Sequence, residues 1–122
     1  MTENLDQFPE TDVLLLLSVY HQWFMHLGPE KAGELLAGVW ARTRDCMFFS
    51  CAEASSSHRS DYIKALKPLG ETGEAVRETL EFLLNGLEVA QVSYLGSASF
   101  LDYSQKIGKD NRMFFKVSRM TP

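Results

Sequence analysis

The sequence predicts one α/β domain, with a sheet of about four strands, helices between them and an antiparallel last strand. Three observations support this fold class: an aliphatic run at residues 12–19, an apolar stripe at helical spacing after Pro29, and a second apolar run at residues 46–52. The 122 residues, 45% of them apolar, are enough for a packed core. Because no repeat, low-complexity segment or linker interrupts them, residues 1–122 are expected to form a single domain.

The first strand is predicted over residues 12–19, which read DVLLLLSV. Its apolar residues are continuous instead of alternating, a pattern typical of a strand that helices cover on both faces in a parallel sheet. The FMHLG segment that follows, residues 24–28, is predicted to be a connector.

A helix is predicted from Pro29, a residue suited to the first helical position, with Glu30 favoured at the positive end of the helix dipole. Its apolar stripe repeats at i, i+3, i+4, i+7 and i+8, and consists of Ala32, Leu35, Leu36, Val39 and Trp40. The run CMFFSCA, residues 46–52, predicts a second strand, so that strand, helix and strand form a βαβ unit. Cys46 and Cys51 are then expected on opposite faces, where they cannot bridge each other.

The second half of the chain predicts a short helix that ends at Pro68 and an amphipathic helix over about residues 72–84. A strand is predicted over residues 87–95, a long loop or broken helix over 96–111, and a last strand over 112–119. Because no strong helix connects the last two strands, we expect them to pair antiparallel.

The composition favours a small-molecule or protein substrate, because the formal net charge of −4 lacks the positive excess of proteins held by phosphate contacts. One basic segment leaves an RNA substrate as the alternative. Its cations are interpreted first as solvated charges that protect an edge strand; they are Lys106, Lys109, Arg112, Lys116 and Arg119.

Without a disulfide framework, a signal sequence or a bilayer-spanning apolar stretch, the chain is predicted to be cytoplasmic, with no membrane contact.

The first predicted strand ends in SVYHQW, residues 18–23, a cluster of polar and aromatic side chains. In open α/β sheets, ligands bind outside the carboxyl ends of the strands. The second strand brings Ser50, Cys51 and Glu53 to the same edge, so the sequence predicts a ligand crevice there. The alternative is that Trp23 and Phe24 close the end of the core. His21 would then be hydrogen-bonded or exposed.

Four segments carry a family resemblance: TDVLLLLSVYHQW, GPEKAGELLAGVWARTRDCMFFSCAE, LEVAQVSYLG and NRMFFKVSR. Their succession resembles the C-terminal half of class I S-adenosylmethionine-dependent methyltransferases, whose fourth strand often closes in a Ser-Val-aromatic-His pattern. The resemblance implies a partial Rossmann-like methyltransferase sheet, S-adenosylmethionine as cofactor, and an antiparallel pair of last strands at the sheet edge. The proline-glycine turn usual before the family's fifth strand is absent here.

The family's cofactor-binding half has a glycine-rich turn after its first strand and an acidic residue after its second. Neither precedes Asp12, so the chain is interpreted as the C-terminal, substrate-side portion of such a domain. It would be an expressed fragment, a naturally shortened relative or one half of a split protein. The unpaired edge of strand 12–19 is expected to be covered by a second copy, as a homodimer, or by a partner chain.

The resemblance places Ser18, Tyr20 and Trp23 near the cofactor, and implies His21 as a candidate general base because imidazole titrates near neutrality. The resemblance further implies that Glu53 and Tyr103 bind the substrate, with Tyr103 in a loop that would form a lid. The competing interpretation of these residues is structural: core aromatics, a helix-cap partner and a solvated loop.

Other chemistries lack their sequence signatures. The three histidines do not have zinc-ligand spacing, and neither a nucleophile elbow nor a phosphate-binding loop occurs. Two function classes therefore remain, a methyltransferase or portion of one, and a noncatalytic methyltransferase-derived binding or scaffolding module. Whether this chain is itself an enzyme is left open by the missing cofactor half.

Overall fold

A computed structural model describes residues 9–52, 64, 66–70, 72–101 and 109–120 of the chain. The elements in chain order are β1 (Thr11–Leu17), α1 (Tyr20–Leu27), α2 (Pro29–Ala41), β2 (Thr43–Ala52), a 3₁₀ helix (Lys67–Leu69), α3 (Gly73–Asn85), β3 (Ala90–Leu101) and β4 (Lys109–Arg119).

The four strands form one sheet in the order β1-β2-β4-β3. β1 and β2 are parallel, and β4 is antiparallel to both β2 and β3. This arrangement confirms the predicted α/β class, the parallel pair joined by a helical connection, and the antiparallel last strand. It also places β4 inside the sheet, so the interpretation of its cations as protection of an edge strand was wrong.

The helices pack on one face of the sheet. The core they form with it contains alternate strand residues: Leu14 and Leu16 from β1, Met47, Phe49 and Cys51 from β2, and Met113, Phe115 and Val117 from β4. The intervening residues of β1 point away from this core, and Val13, Leu15 and Leu17 are 46%, 63% and 45% exposed. The prediction that helices cover both faces of β1 was therefore wrong for the described part of the chain.

The segment predicted to be a connector is part of a helix. α1 begins at Tyr20, buries Phe24 in the core and ends at Gly28, whose φ of 90° favours glycine. The helix predicted from Pro29 is confirmed as α2, with its apolar stripe buried and Glu30 in its first turn. Among the described residues, no helix is long and apolar enough to cross a membrane.

α3 confirms the helix predicted over about residues 72–84. The Thr72 hydroxyl caps it by accepting a hydrogen bond of 3.1 Å from the backbone N–H of Ala75. Before the cap, Gly70 has φ of 144°, and a Cβ built there would lie 2.7 Å from the backbone nitrogen of Val76. Glycine is therefore required at the entry to this helix.

The two last strands are longer than predicted. β3 continues to Leu101 and β4 begins at Lys109, so most of the predicted loop over residues 96–111 is strand; residues 102–108 lie outside the described ranges. β3 and β4 pair from Ala90 opposite Arg119 to Leu101 opposite Lys109, with one irregularity in register beside Gly96. The loop prediction was wrong because backbone pairing extends the hairpin beyond its apolar residues.

Candidate functional site at the carboxyl rim

β1 and β2 end at the same edge of the sheet, because Leu17 lies opposite Ser50 in their parallel register. We call this edge, formed by residues 18–23 with Ser50 and Cys51, the carboxyl rim. The structure confirms two predictions from the sequence: β1 and β2 are parallel, and their carboxyl ends lie together. What the side chains of the rim do depends on their contacts.

Ser18 connects three strands at the rim. Its backbone N–H lies 2.9 Å from Ser50 Oγ and 3.2 Å from Ser50 O, and both oxygens accept from it. Arg112 of β4 donates from Nε to Ser18 Oγ over 3.1 Å. Ser18 has φ of 60°, a left-handed conformation that costs roughly 1–2 kcal/mol outside glycine. These contacts hold the strained turn from which α1 starts.

His21 lies beneath the rim on the first turn of α1, and only 1% of its surface is exposed. The side-chain nitrogen of Gln22 lies 3.4 Å from His21 Nε2, so the amide can donate to the ring when that nitrogen is unprotonated. In the described ranges, no buried side-chain nitrogen or oxygen lacks a hydrogen-bond partner. The imidazole is thus held in one place, and its role as a base stays a prediction.

Tyr20 points into the core. Its ring centroid lies 5.7 Å from that of Phe49 and 6.2 Å from that of Phe24. Burial, with a smaller contribution from Cys51, raises the pKa of the Tyr20 phenol to about 12, so the group is neutral at physiological pH. Trp23 is half-buried and packs against the edge of the core. Their assignment to cofactor binding stays a prediction, with Trp23 the more accessible of the two.

Glu53 and Tyr103 lie outside the described residues, so their predicted substrate contacts stay predictions. Sequence reasoning placed Ser50 at the rim without a role and missed Arg112 there. The antiparallel register sets Arg112 opposite Ala52, at the end of β2, which brings its guanidinium to the rim. That register was the only signal for its position, and it is not visible in a single sequence.

At the opposite end of the sheet, Arg119 is also engaged within the fold. It donates from Nε to Thr43 O over 2.6 Å and from a terminal nitrogen to Trp40 O over 2.7 Å. Its guanidinium lies 4.6 Å from the Trp40 ring centroid. The expectation that the basic segment is solvated was therefore wrong for Arg112 and Arg119, which form hydrogen bonds to other elements of the fold.

The chemistry available at the rim is that of hydroxyls, an imidazole, an amide and an indole. Within the described ranges, no group of three His, Cys, Asp or Glu side chains lies together as metal ligands would. Cys46 and Cys51 lie on opposite faces of β2, as their spacing predicted, and do not bridge each other. The rim thus offers hydrogen bonding and stacking.

The fold is similar to that of the plantazolicin methyltransferase BamL, solved in complex with a triazolic desmethylPZN analog and SAH, with a TM-score of 0.57. The superposition covers 97% of this chain and 57% of that chain, at 10% sequence identity. No protein-family model matches the sequence, and no curated protein matches it. The chain therefore has a methyltransferase-like α/β fold that spans little more than half the length of that enzyme.

Proposed function

We propose that this chain is the substrate-side portion of a class I S-adenosylmethionine-dependent methyltransferase domain. When a cofactor-binding portion completes it, the domain transfers a methyl group to an acceptor that is still to be identified. The observation that carries the proposal is the carboxyl rim: two parallel strands end together in hydrogen-bonding and stacking side chains, within a methyltransferase-like fold.

The rim supplies one wall of a cofactor crevice. The Ser18 hydroxyl already accepts from Arg112, and the Tyr20 ring is 3% exposed, so neither is free to surround a ligand. None of the described glycines with positive φ lies at the rim; they are Gly28, Gly70 and Gly96. The described residues alone do not form a complete cradle for the cofactor.

Roles at the rim follow from these contacts. We propose that Ser18 sets the shape of the wall and that Trp23 stacks on the cofactor or on an aromatic acceptor. His21 is 1% exposed, so it takes a proton from an acceptor only when completion of the domain uncovers the first turn of α1. Methyl transfer itself needs mainly proximity and in-line orientation, which a rigid rim provides. Glu53 and Tyr103 are kept as proposed substrate contacts.

A small-molecule or protein acceptor is favoured over RNA. Two of the basic side chains that suggested phosphate contacts, Arg112 and Arg119, form hydrogen bonds inside the fold. We propose a cytoplasmic location as well, because Cys46 and Cys51 lie on opposite faces of β2 and do not form a disulfide with each other.

Titration of the isotope-labelled chain with S-adenosylhomocysteine, followed by NMR, tests the proposal. We expect weak, saturable shifts at the amides of Ser18 and Ser50 and at the Trp23 indole, because one wall of the crevice is in place. Trp23→Ala should weaken binding about tenfold through the lost stacking. Phe82→Ala, which removes an 85% exposed ring on α3, is the matched control and should not change it.

A folded chain whose rim resonances do not respond would overturn the cofactor-side assignment. It would favour the second candidate, a noncatalytic binding or scaffolding module. One observation supports that candidate independently: the aliphatic residues of β1 that point away from the core are exposed, on a strand that forms the edge of the sheet among the described residues.

A further inference from the structure

β1 has an exposed edge and an exposed face that adjoin each other. In the part of the chain that the structure describes, β2 is its one neighbouring strand, so the backbone groups on its other side meet no strand. Val13, Leu15 and Leu17 point to the face opposite the helices, and about half or more of each side chain is exposed. We call these three residues and the adjoining backbone the β1 edge.

The β1 edge lacks the features that keep sheet edges apart. Natural edge strands carry lysines, prolines, bulges or inward-pointing charges. Between Val13 and Leu17 every residue is aliphatic, and the one irregularity in pairing lies earlier, between Thr11 and Val13. An unprotected edge of this kind is a template for strand addition.

The sequence of β1 is self-complementary when a second copy runs antiparallel to it. With the pairing centred on Leu15, each Leu15 faces Leu15 of the partner subunit, Val13 faces Leu17 of the partner subunit, and Leu14 faces Leu16 of the partner subunit. Every central pair is aliphatic, and residues directly opposite lie on the same face of the sheet.

The ends of the strand are complementary in charge. The amino end is acidic, with Glu10 and Asp12 lying 3.6 and 3.5 Å from Arg44. At the carboxyl end, the Arg112 guanidinium donates to Ser18. Antiparallel pairing brings Glu10 and Asp12 of each copy, with Arg44 beside them, to the end of the other copy at which Arg112 contacts Ser18, so two acidic groups and one basic group meet a basic one.

We propose that this chain by itself forms a two-fold dimer in which two β1 strands pair antiparallel about Leu15, giving one continuous eight-stranded sheet. Packing the exposed faces against each other is disfavoured, because it would bury Arg112 and Lys116, which lie on that face. A single strand pair is smaller than the roughly 800 Å² per partner of tight complexes, so the affinity is expected to be micromolar.

The dimer goes beyond the proposed function and competes with it. A cofactor-binding polypeptide that extends the sheet would need the same β1 edge. The dimer therefore represents the state of this chain without such a polypeptide, and its existence does not depend on methyl transfer.

Sedimentation velocity over a concentration series tests the proposal with a matched pair of variants. Leu15→Lys should raise the dissociation constant about 100-fold, because two lysines would face each other at the centre of the pair. Phe82→Lys places the same charge on an even more exposed apolar position of α3 and should leave the dimer unchanged. Leu17→Lys is the second variant at the edge and should weaken the dimer as well.

Amide exchange distinguishes edge pairing from other contacts, since β1 amides should gain protection as concentration rises and those of α3 should not. A wild-type chain that is monomeric at its highest soluble concentration overturns the proposal and favours a different polypeptide on the edge. Undefined aggregation, or a dimer that Leu15→Lys leaves intact, overturns it too. Circular dichroism of each variant verifies that the monomer fold is kept.

Discussion

At the scale of single residues, Ser18 determines how β1 passes into α1. Its left-handed backbone would suit glycine, yet the serine side chain accepts from Arg112, a residue 94 positions away in the chain. The sequence indicated a rim at this place because an aliphatic run ended in polar side chains. It could not indicate the strained φ or the guanidinium contact, since both depend on the packing of β4.

Tyr20 makes stability depend on pH in the alkaline range. Burial raises the pKa of its phenol from 10.0 to about 12, so the unfolded chain releases this proton first as pH rises. The stabilisation is fully present below about pH 10 and is lost as pH rises towards 12. The free energy of unfolding in urea, measured from about pH 9 to about pH 11, should fall more steeply in the wild type than in Tyr20→Phe. Equal slopes would contradict the assignment.

Arg119 joins the end of α2 to the start of β2. Arg119→Met should reduce the free energy of unfolding by about 3 kcal/mol, because two carbonyl oxygens lose a charged donor. Lys31→Met is the control: its ion pair with Glu34 is on the surface, and its removal should have little effect. Urea denaturation of both variants provides the comparison, and similar losses would show that the Arg119 contacts contribute little.

At the scale of elements, α2 could be predicted because it has a clear apolar stripe, whereas α1 could not. α2 followed from the spacing of its apolar residues after Pro29. α1 was missed although Tyr20, Trp23, Phe24 and Leu27 have helical spacing, because eight residues rich in aromatics and His resemble a loop entering a site. The outer parts of β3 and β4 gave no apolar pattern at all.

The entry to α3 depends on Gly70. Gly70→Ala should destabilise the protein by about 2–4 kcal/mol, because a Cβ would meet the backbone of Val76 at a φ that side chains rarely adopt. Gly33→Ala, within α2 and with nothing within 4 Å of the added Cβ, should instead stabilise by about 0.5–1 kcal/mol. Thermal denaturation of the two variants measures whether each is less or more stable than the wild type. A Gly70→Ala variant as stable as the wild type would contradict the predicted clash.

At the scale of the whole molecule, the fold class was predictable because the order of apolar runs fixes a parallel pair followed by an antiparallel one. The exposed face of β1 was not predictable, because an uninterrupted aliphatic run does not show whether one face of a strand or both faces are covered. The rim was foreseen as a location. Its contacts required the register of all the strands.

Phe115 lies at the centre of the sheet and should have a large effect on stability. Its ring is fully buried between those of Phe49 and Tyr94, at centroid distances of 6.3 and 5.2 Å. Phe115→Ala should cost about 3–5 kcal/mol, whereas Phe82→Ala, at an 85% exposed position, should stay within about 0.5 kcal/mol of wild type. Guanidinium denaturation gives both values, and a mild Phe115→Ala would contradict a single shared core.

The position of β4 between β2 and β3 affects how the protein is made. The ribosome releases β2 and β3 before the strand that joins them, so neither can complete its hydrogen bonds until β4 has emerged. Contacts between β2 and β4 span more than half of the chain, a separation that slows folding. The nascent chain therefore carries β2 and β3 without their shared neighbour until β4 emerges, and it should rely on chaperones during translation more than a chain whose neighbouring strands follow one another.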